Sequence, residues 1–426
     1  MIRTLYRAAL ALLVASSLRA QIPTKIPSPP TQAPTMTPPD PLHEAGQNVT
    51  ISLLTMGNGT EVWELFGHSA IWIHDNVTGR DSVFNWGVFD RTQPLFIPHF
   101  LEGLMLYQMG GETLDEVLYE YRYFNRTVTS QQLDLTAAEK DSLLHIIQVN
   151  AEPQNVTYRY DYFVDNCATR PRDILDRVLG GAIRAKSQTP SGVSYRWETL
   201  RLMQGNFPLE LGVDIGLGEP SDTPITVWQT MFLPKALHDF VAKLSVPDST
   251  GAMHPLVRRE TVLYPAQGRP PEPTQPPPLG LWLTAIGVVV AIVFLVLGVA
   301  AARGSRGGQI AAAIVFGIWA FAAGILGTLL TLLWSVTDHR FAHRNENLLL
   351  FNPLWLVLAV LLVIYMWSGR AGRVTRIFAY GLAALAVLAL LAHVGIARQV
   401  NLPVIGLGLP PALAIAWAVS KRGNAF

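Results

Sequence analysis

Residues 158–181 read YRYDYFVDNCATRPRDILDRVLGG and include Cys167, the only cysteine of the chain. After the cysteine, apolar residues recur at helical spacing over 174–179, and Gly180-Gly181 ends the pattern. The stretch therefore predicts a strand or loop that leads into a helix near the cysteine. Because the N-terminus of a helix has free N–H groups and a partial positive charge, a cysteine in its first turn is favoured as the thiolate.

Two starts are open for this helix. If Asp165 or Asn166 caps it, Cys167 lies in the first turn, but Pro171 then costs one helical hydrogen bond. If the helix begins later, with Thr169 as the cap, the proline lies where its missing N–H is tolerated.

A second stretch, WELFGHSAIWIH at 63–74, alternates like a strand that begins after a glycine. A polar turn at 75–81 and the residues SVFNWG at 82–87 follow, which predicts an antiparallel partner strand. If the turn keeps an even register, Asn85 lies on the same face as His68. A slip of one residue would place it on the other face.

A thiol nucleophile needs a base and a group that orients the base, and Cys167, His68 and Asn85 supply this set. Asp81 and His74 are alternatives to Asn85. The structural interpretation is that the cysteine is a small buried apolar residue and the histidine a hydrogen-bonded core residue. The polar residues beside the cysteine favour the catalytic interpretation, because inert cysteines prefer apolar neighbours.

The composition indicates a membrane protein. Half of the 426 residues are hydrophobic and 15% are charged, whereas soluble domains have about 25% charged residues. The net charge of +1 argues against nucleic-acid binding. A single cysteine excludes an intramolecular disulfide framework and a metal site made of cysteines alone.

Changes in composition predict five regions along the chain. They are a signal peptide at 1–20, a proline-rich disordered tether at 21–47, a mixed α and β domain at 48–264, a proline-rich linker at 265–278 and a transmembrane region at 279–426. Five apolar stretches of the last region have about the length needed to cross a hydrocarbon core of roughly 30 Å. The predicted spans are 279–302, 309–336, 348–367, 377–396 and 402–419.

Basic residues in the connections predict the orientation of these spans. One set comprises Arg303, Arg306, Arg370, Arg373, Arg376, Lys421 and Arg422, and the opposite set comprises Arg340, Arg344 and Arg398. The bias places the C-terminus in the cytoplasm and the 48–264 domain outside, in agreement with the predicted signal peptide. His393 is the one clear ionisable residue within the spans, so we expect an anchor or lipid-access platform rather than a transporter.

The predicted outer loop between the second and third spans contains His339 and His343, four residues apart. On a helix such a pair can share a metal ion. No glutamate lies between them and no clear third ligand follows, so we predict no metal site. Arg340 and Arg344 are better suited to lipid phosphates, or are simply solvated at the membrane surface.

The stretch PLFIPHFLEGLMLY at 94–107 is unusually apolar for a soluble domain. We favour a place in the core. The alternative is an acyl-chain groove that faces the bilayer.

Three ordered motifs carry a family resemblance. They are FGHSA at 66–70, FNWG at 84–87, and DNCATR at 165–170 followed by Arg172-Asp173. Together they resemble the Lnb N-terminal periplasmic domain family. The resemblance covers most of 48–264, including MFLP at 231–234, and reaches the outer loop at His339, Asn345, Asn347-Leu348-Leu349 and Asn352-Pro353. Pro171 departs from the pattern, because a non-proline residue is more usual there.

The resemblance implies a papain-like α+β domain of the permuted NlpC type on the extracytoplasmic side, followed by an all-α bundle of five transmembrane helices. In such domains the histidine strand precedes the cysteine helix. The best-known members of the family look like bacterial lipoprotein N-acyltransferases. The resemblance therefore implies a thiol acyltransferase of the bacterial inner membrane. It would move an acyl chain from a membrane phospholipid to the N-terminal amine of a lipoprotein through a thioester, without a cofactor.

In this scheme Cys167 is the nucleophile, His68 is the base and Asn85 orients the imidazole. Asn166 would help the backbone N–H of Cys167 to stabilise the oxyanion. The candidate substrate-binding residues are Arg170, His339, Arg340, Arg344, Asn345 and Asn347. Two other functions stay open: a periplasmic cysteine peptidase or amidase that acts on the cell wall, and a non-catalytic envelope scaffold.

Overall fold

The computed structural model describes residues 46–89, 99, 102–248, 250–368, 371–396 and 398–421. The predicted signal peptide at 1–20, all but the end of the predicted tether at 21–47, and the basic residues Arg370 and Arg422 lie outside the described residues. The same holds for residues 94–98, 100 and 101 of the apolar stretch, so its assignment to core or groove stays open.

The chain divides into two compact units. The first contains the described residues up to Val193 together with Pro224–Glu272. The second contains Ser194–Thr223 together with the described residues from Pro273 onward. The segment Ser194–Thr223 lies inside the predicted domain 48–264, yet it packs with the apolar C-terminal region.

The first unit is built on a seven-stranded antiparallel sheet. Its strands are β1 (Val49–Met56), β2 (His68–Asp75), β3 (Asp81–Val88), β4 (Leu106–Glu112), β5 (Val128–Leu133), β6 (Thr157–Arg159) and β11 (Val257–Tyr264). Their spatial order is β11-β5-β1-β2-β3-β4-β6. Two small sheets pair β7 (Pro190–Ser194) with β8 (Pro224–Thr226) and β9 (Ser245–Pro247) with β10 (Met253–Pro255).

Helices cover both faces of the large sheet. They are α1 (Leu114–Tyr123), α2 (Ala137–Ala151), α3 (Thr169–Val178), α4 (Ala182–Lys186), α7 (Val227–Thr230) and α8 (Pro234–Val241). Ile71 and Ile73 of β2 pack with α2, α3 and α8, whereas Ala70 packs with α1. This alternation follows from the two-residue repeat of a strand. Burial of each large aliphatic side chain stabilises the fold by roughly 1.5–3 kcal/mol.

The second unit is helical. Its elements are α5 (Tyr195–Leu202), α6 (Phe207–Gly216), α9 (Leu279–Ala302), α10 (Arg306–Val336), α11 (Leu354–Ser368), α12 (Arg373–Gly395) and α13 (Leu402–Ser420). Short 3-10 turns occur at Glu219–Asp222, Arg340–Ala342 and Glu346–Leu349. Within the described residues, five helical segments are long and apolar enough to cross a membrane. The predicted fold class, an α+β domain followed by five apolar helices, is confirmed.

Candidate active site

Cys167 lies in the turn that opens α3. The Asn166 side-chain oxygen accepts the N–H groups of Ala168 at 2.8 Å and Thr169 at 3.0 Å, so Asn166 caps the helix. The Thr169 hydroxyl accepts the N–H of Asn166 at 2.7 Å in return. The regular helix begins at Thr169, but the N–H of Arg170 already donates to the carbonyl oxygen of Asn166 at 3.1 Å, so the helical turn starts at Asn166. Pro171 has no N–H to donate to the carbonyl oxygen of Cys167, which is the cost predicted for this start. The start with Asn166 as the cap is thus supported, whereas Thr169 is the first residue of the regular helix and not its cap.

His68 is the first residue of β2, and Asn85 lies on the neighbouring strand. The register pairs Ala70 with Asn85, which confirms that Asn85 lies on the same face of the sheet as His68. The Asn85 side chain is hydrogen-bonded to the His68 imidazole. Its oxygen also accepts the N–H of Gly87 at 3.3 Å, which limits its orientation.

The sulfur of Cys167 is held next to the histidine by the backbone. It accepts the N–H of Ser69, the residue that follows His68, and it also accepts the N–H of Cys167 itself. The backbone pairing of β2 with β3 ends at Ala70 and Asn85. Ser69, whose N–H contacts the sulfur, is the next residue of β2 toward its N-terminus. Cys167 as a whole residue is only partly buried.

Burial keeps the cysteine and the histidine uncharged at neutral pH. It raises the pKa of Cys167 to about 11, against the N–H hydrogen bonds and the positive charge of Arg126, which lower it. Burial and then the charge of Arg126 lower the pKa of His68 to about 4, while the hydrogen bond to Asn85 raises it. Near pH 7 the resting site therefore contains a thiol and a neutral imidazole, a base that is free to accept a proton.

Gly87 provides the space for the imidazole. A Cβ atom at this position would lie 2.6 Å from Cε1 of His68. A second glycine, Gly67, has φ +78°, and its Cβ would lie 2.7 Å from the carbonyl oxygen of Met56. Glycine at position 87 therefore lets the backbone of β3 lie against the His68 ring, and glycine at position 67 lets the backbone before His68 lie against Met56.

Two sets of residues around the sulfur are not predicted from the sequence. Arg126 is 4% exposed and acts electrostatically on Cys167 and His68. Burial raises the pKa of Tyr158 and of Tyr160, and ionisation of the nearby Cys167 raises the pKa of both further. The tyrosines lie within the quoted stretch 158–181, whereas no local pattern distinguishes Arg126 from other arginines.

The other predicted residues near the cysteine have defined partners. The Asn166 amide donates to the carbonyl oxygens of Tyr162 at 2.9 Å and Phe232 at 3.0 Å. Both of its hydrogens are therefore in use, and an oxyanion would have to replace one of these bonds. Arg170 forms a bidentate ion pair with Asp165, and its role in substrate binding stays a prediction.

His74 and Asp81 lie at the far end of the β2–β3 pair. They face each other in the register, and His74 Nδ1 lies 2.8 Å from an Asp81 carboxylate oxygen. Six residues separate His74 from His68 along one strand, which corresponds to roughly 20 Å. Neither residue replaces Asn85 at the imidazole.

The predicted residues of the outer loop lie in the second unit. Asn345 and Asn347 are fully buried, and their amides donate to the carbonyl oxygen of Ile215 at 2.8 Å and 3.0 Å. Arg344 pairs with Glu219 at 2.9 Å. These contacts hold the end of α6 within the second unit.

The remaining loop residues lie in or next to the 3-10 turn Arg340–Ala342. Arg340 is exposed, and the ring of His343 interacts with the carbonyl oxygen of Thr337 at 2.9 Å. His339 begins the 3-10 turn Arg340–Ala342. Roles of His339, Arg340, Arg344, Asn345 and Asn347 in substrate binding stay predictions. Among the described residues, no group of three or more potential side-chain ligands could hold a metal ion.

Comparison with known families follows the two parts of the chain. Residues 44–205 match the Lnb N-terminal periplasmic domain, and residues 282–419 match the Lnb transmembrane domain. The chain belongs to the Lnb family. It is therefore a membrane protein with an Lnb periplasmic domain, and Cys167, His68 and Asn85 all lie within the matched part of that domain. No curated protein and no solved structure matches the chain.

Proposed function

We propose that this Lnb protein is a thiol acyltransferase that moves an acyl chain from a membrane phospholipid to the N-terminal amine of a lipoprotein. One observation carries the proposal. The sulfur of Cys167 accepts the N–H of Ser69, immediately beside a neutral His68 that is hydrogen-bonded to Asn85. A nucleophile, a base and an orienting amide on rigid elements are the parts that covalent acyl transfer needs.

The first half-reaction forms a thioester. The imidazole of His68 accepts the thiol proton as the sulfur attacks the ester carbonyl carbon of the phospholipid. A C–S bond forms and the C–O ester bond breaks. The proton passes from His68 to the departing lysophospholipid oxygen, so both protein groups are again uncharged.

The second half-reaction transfers the chain to nitrogen. The neutral lipoprotein amine attacks the thioester carbon, a C–N bond forms and the C–S bond breaks. His68 takes the proton from nitrogen and returns it to sulfur. Because burial lowers the pKa of His68 to about 4, the imidazole is unprotonated at the start of each half-reaction.

Each half-reaction passes through a tetrahedral oxyanion that needs hydrogen-bond donors. We assign one donor to the backbone N–H of Cys167, which already points at its own sulfur. Asn166 supplies a second donor only if its amide leaves the carbonyl of Tyr162 or Phe232. Removal of one such donor costs roughly 100- to 1,000-fold in other acyl-transfer enzymes.

The membrane region supports this choice of substrates. Both the acyl donor and the lipoprotein acceptor reside in a bilayer, and the part of the chain that the structure describes has five helical segments that can span one. An inner-membrane location with a cytoplasmic C-terminus, as the arginine bias predicts, would place the periplasmic domain on the side where lipoproteins are exposed.

Intact-mass analysis of lipoproteins tests the proposal. Cells that depend on the wild-type chain should yield lipoproteins whose N-terminus carries one added acyl chain. Cys167→Ala should abolish this N-terminal acylation. His68→Ala should reduce it by roughly 100-fold or more, the range of general base catalysis. His74→Ala is the matched control, because this histidine lies on the same strand but away from the sulfur.

The same measurement separates the other functions. Unchanged lipoprotein masses with altered cell-wall fragments would instead support a peptidase or amidase. A phenotype that survives Cys167→Ala in a folded protein would support a scaffold.

A further inference from the structure

A buried arginine lies close to the candidate site and is not used by the proposed reaction. Arg126 follows α1 and precedes β5, and 4% of its surface is exposed. Its Nε donates to the carbonyl oxygen of Gly57 at 2.9 Å, and its Nη1 lies 3.3 Å from a carboxylate oxygen of Glu64. A buried cation is costly unless it is paired, so its presence at this position calls for an explanation.

The partners of Arg126 lead directly to the histidine. Gly57 follows Met56, and Met56 is the residue of β1 that pairs with His68 in the sheet. Glu64 belongs to the turn before His68, and its carbonyl oxygen accepts the N–H of Gly67 at 3.0 Å. The guanidinium group is thus fixed by the two backbone segments that adjoin the imidazole.

We propose that Arg126 is a positioning residue of the Cys167–His68 site. Its fixed positive charge adds to the effect of burial in disfavouring an imidazolium, and it favours negative charge on the sulfur and on the oxyanion. The effect of Arg126 on catalysis rests on the proposed function. Its effect on the charge of His68 and Cys167 does not, because that effect is present in the protein without substrate.

The direction of this effect is the same for both groups. The charge of Arg126 lowers the pKa of His68 and the pKa of Cys167, in each case alongside a larger effect of burial. A cation disfavours an imidazolium and favours a thiolate, so both signs follow from the same charge. The ionisable groups that face Arg126 are Glu64 from the preceding turn, Glu120 and Tyr121 from α1, His68 from β2 and Cys167 before α3.

Two chemical-modification profiles on the full-length protein in detergent test the inference. Iodoacetamide labels the thiolate of Cys167, which is the only cysteine in the sequence. Diethyl pyrocarbonate labels unprotonated imidazoles, and peptide mass spectrometry isolates the signal of His68. We expect Arg126→Met to raise the apparent pKa of both groups. Alkylation of Cys167 at pH 8 should then fall by roughly 3- to 10-fold, the change for a pKa shift of 0.5 to 1.

Arg126→Lys should stay near wild type, since it keeps the charge. Arg122→Met is the matched control, because Arg122 is an exposed arginine in the last turn of α1, four residues before Arg126, and we expect neither profile to move.

A purely structural role for Arg126 gives a different signature. If its loss only loosened the turn and admitted water, relief of burial would raise the pKa of His68 but lower that of Cys167. Faster alkylation in Arg126→Met, or profiles that do not move, would overturn the inference. Neither result depends on acyl transfer, so the inference and the proposed function can fail separately.

Glu64→Gln keeps the inference testable if Arg126→Met does not fold. Removal of this carboxylate leaves the guanidinium less neutralised, so we expect the pKa of both Cys167 and His68 to fall. An increase in the His68 pKa in this variant would contradict the proposal.

Once acyl-transfer activity can be assayed, Arg126→Met should lower kcat more than it raises KM, because the charge acts on the intermediate.

Discussion

At the scale of the residue, the proton on Cys167 controls its reactivity. A thiol whose pKa is raised to about 11 is protonated at neutral pH, and the thiolate fraction rises as pH increases toward that value. The His68 imidazole, with a pKa lowered to about 4, stays neutral over the same range. The site therefore contains a neutral thiol beside a neutral imidazole, and not a preformed thiolate–imidazolium ion pair.

This state predicts the pH dependence of alkylation. Between pH 7 and pH 10 the rate at which iodoacetamide modifies Cys167 should rise about tenfold per pH unit, because only the thiolate reacts. A preformed thiolate–imidazolium pair would instead give a rate that is already high and flat near pH 7. Quantifying the labelled peptide by mass spectrometry distinguishes the two profiles.

Thioester formation should depend on pH in a different way. The general base must be neutral, so this half-reaction, which needs no substrate amine, should be lost as pH falls through the pKa of His68 near 4 and should vary little between pH 5 and pH 8. Single-turnover measurement of lysophospholipid release in detergent micelles across this range, without an amine acceptor, checks the prediction. A midpoint near 6.5 would mean that the imidazole is solvated rather than buried.

Gly87 gives a steric test of the same site. Gly87→Ala would place a methyl group 2.6 Å from Cε1 of His68, so the ring must move. We expect activity to fall by roughly 100-fold, the cost of a displacement of about 1 Å, with little change in thermal unfolding. Gly111→Ala is the control, because its Cβ would make only an ordinary contact with Phe84 at 3.5 Å. Equal losses in the two variants would argue against a specific clash at His68.

The residues of the site differ in how visible they are in the sequence. Cys167 is the sole cysteine, and His68 and Asn85 lie on short alternating strands, so residue type and spacing point to them. Arg126 is about 40 residues from Cys167, in a segment with no chemical motif, and only the fold brings its charge to the site.

At the scale of the element, the opening turn of α3 sets the position of the sulfur. Asn166 caps the helix with its oxygen and ties it to Tyr162 and Phe232 with its amide. One side chain thereby connects the cysteine turn to two separate backbone segments. Sequence analysis identified the cap but not the two amide contacts, because these depend on where residues 162 and 232 come together.

Substitution of the cap separates its roles. Asn166→Asp keeps an oxygen acceptor for the helix but loses the donors, whereas Asn166→Ala loses both. We expect Asn166→Ala to destabilise the protein by about 1–2 kcal/mol from the cap alone and by more once the buried carbonyls lose their partners. Thermal unfolding of both variants beside Pro171→Ala provides the measurement. Pro171→Ala should be neutral or slightly stabilising, since it supplies an N–H that can donate to the carbonyl oxygen of Cys167, between the bonds of Arg170 to Asn166 and of Arg172 to Ala168; a clear loss of stability would contradict this helix start.

The register between β2 and β3 could be predicted in part from the alternation of side chains. Side chains alternate with a period of two, so an even turn between β2 and β3 brings Asn85 to the face of His68. The even register was one of two possibilities in the sequence, since nothing in the polar turn at 75–81 excludes a slip.

At the scale of the whole molecule, composition found the membrane region but not the division of the chain. The five apolar stretches were visible because length and hydropathy are local properties. Ser194–Thr223 has the charged composition of a soluble segment, so it was grouped with the predicted domain 48–264. Its place in the second unit depends on long-range contacts of Asn345, Asn347 and Gln399 with the carbonyls that end α6.

A buried ion-pair network stabilises that segment internally. Arg196, 3% exposed, donates to the carboxylate oxygens of Asp214 and Asp222 at 2.8 Å each and to the carbonyl oxygen of Leu217 at 2.8 Å. Two carboxylates therefore share one guanidinium away from water. Loss of the cation would leave both anions buried without a partner, which typically costs about 3–5 kcal/mol.

The network predicts where the second unit opens first. Arg196→Met should lower the thermal unfolding temperature in detergent micelles by several degrees and expose Ser194–Thr223 to limited proteolysis, because the segment loses its internal anchor. Arg344→Met is the comparison variant and should have the smaller effect, since the Arg344 side chain is 63% exposed and its loss leaves one carboxylate, Glu219, without its cation, whereas loss of Arg196 leaves two carboxylates that are almost fully buried. If the two variants unfold alike and neither gains a cleavage site in this segment, the buried network does not hold it in place.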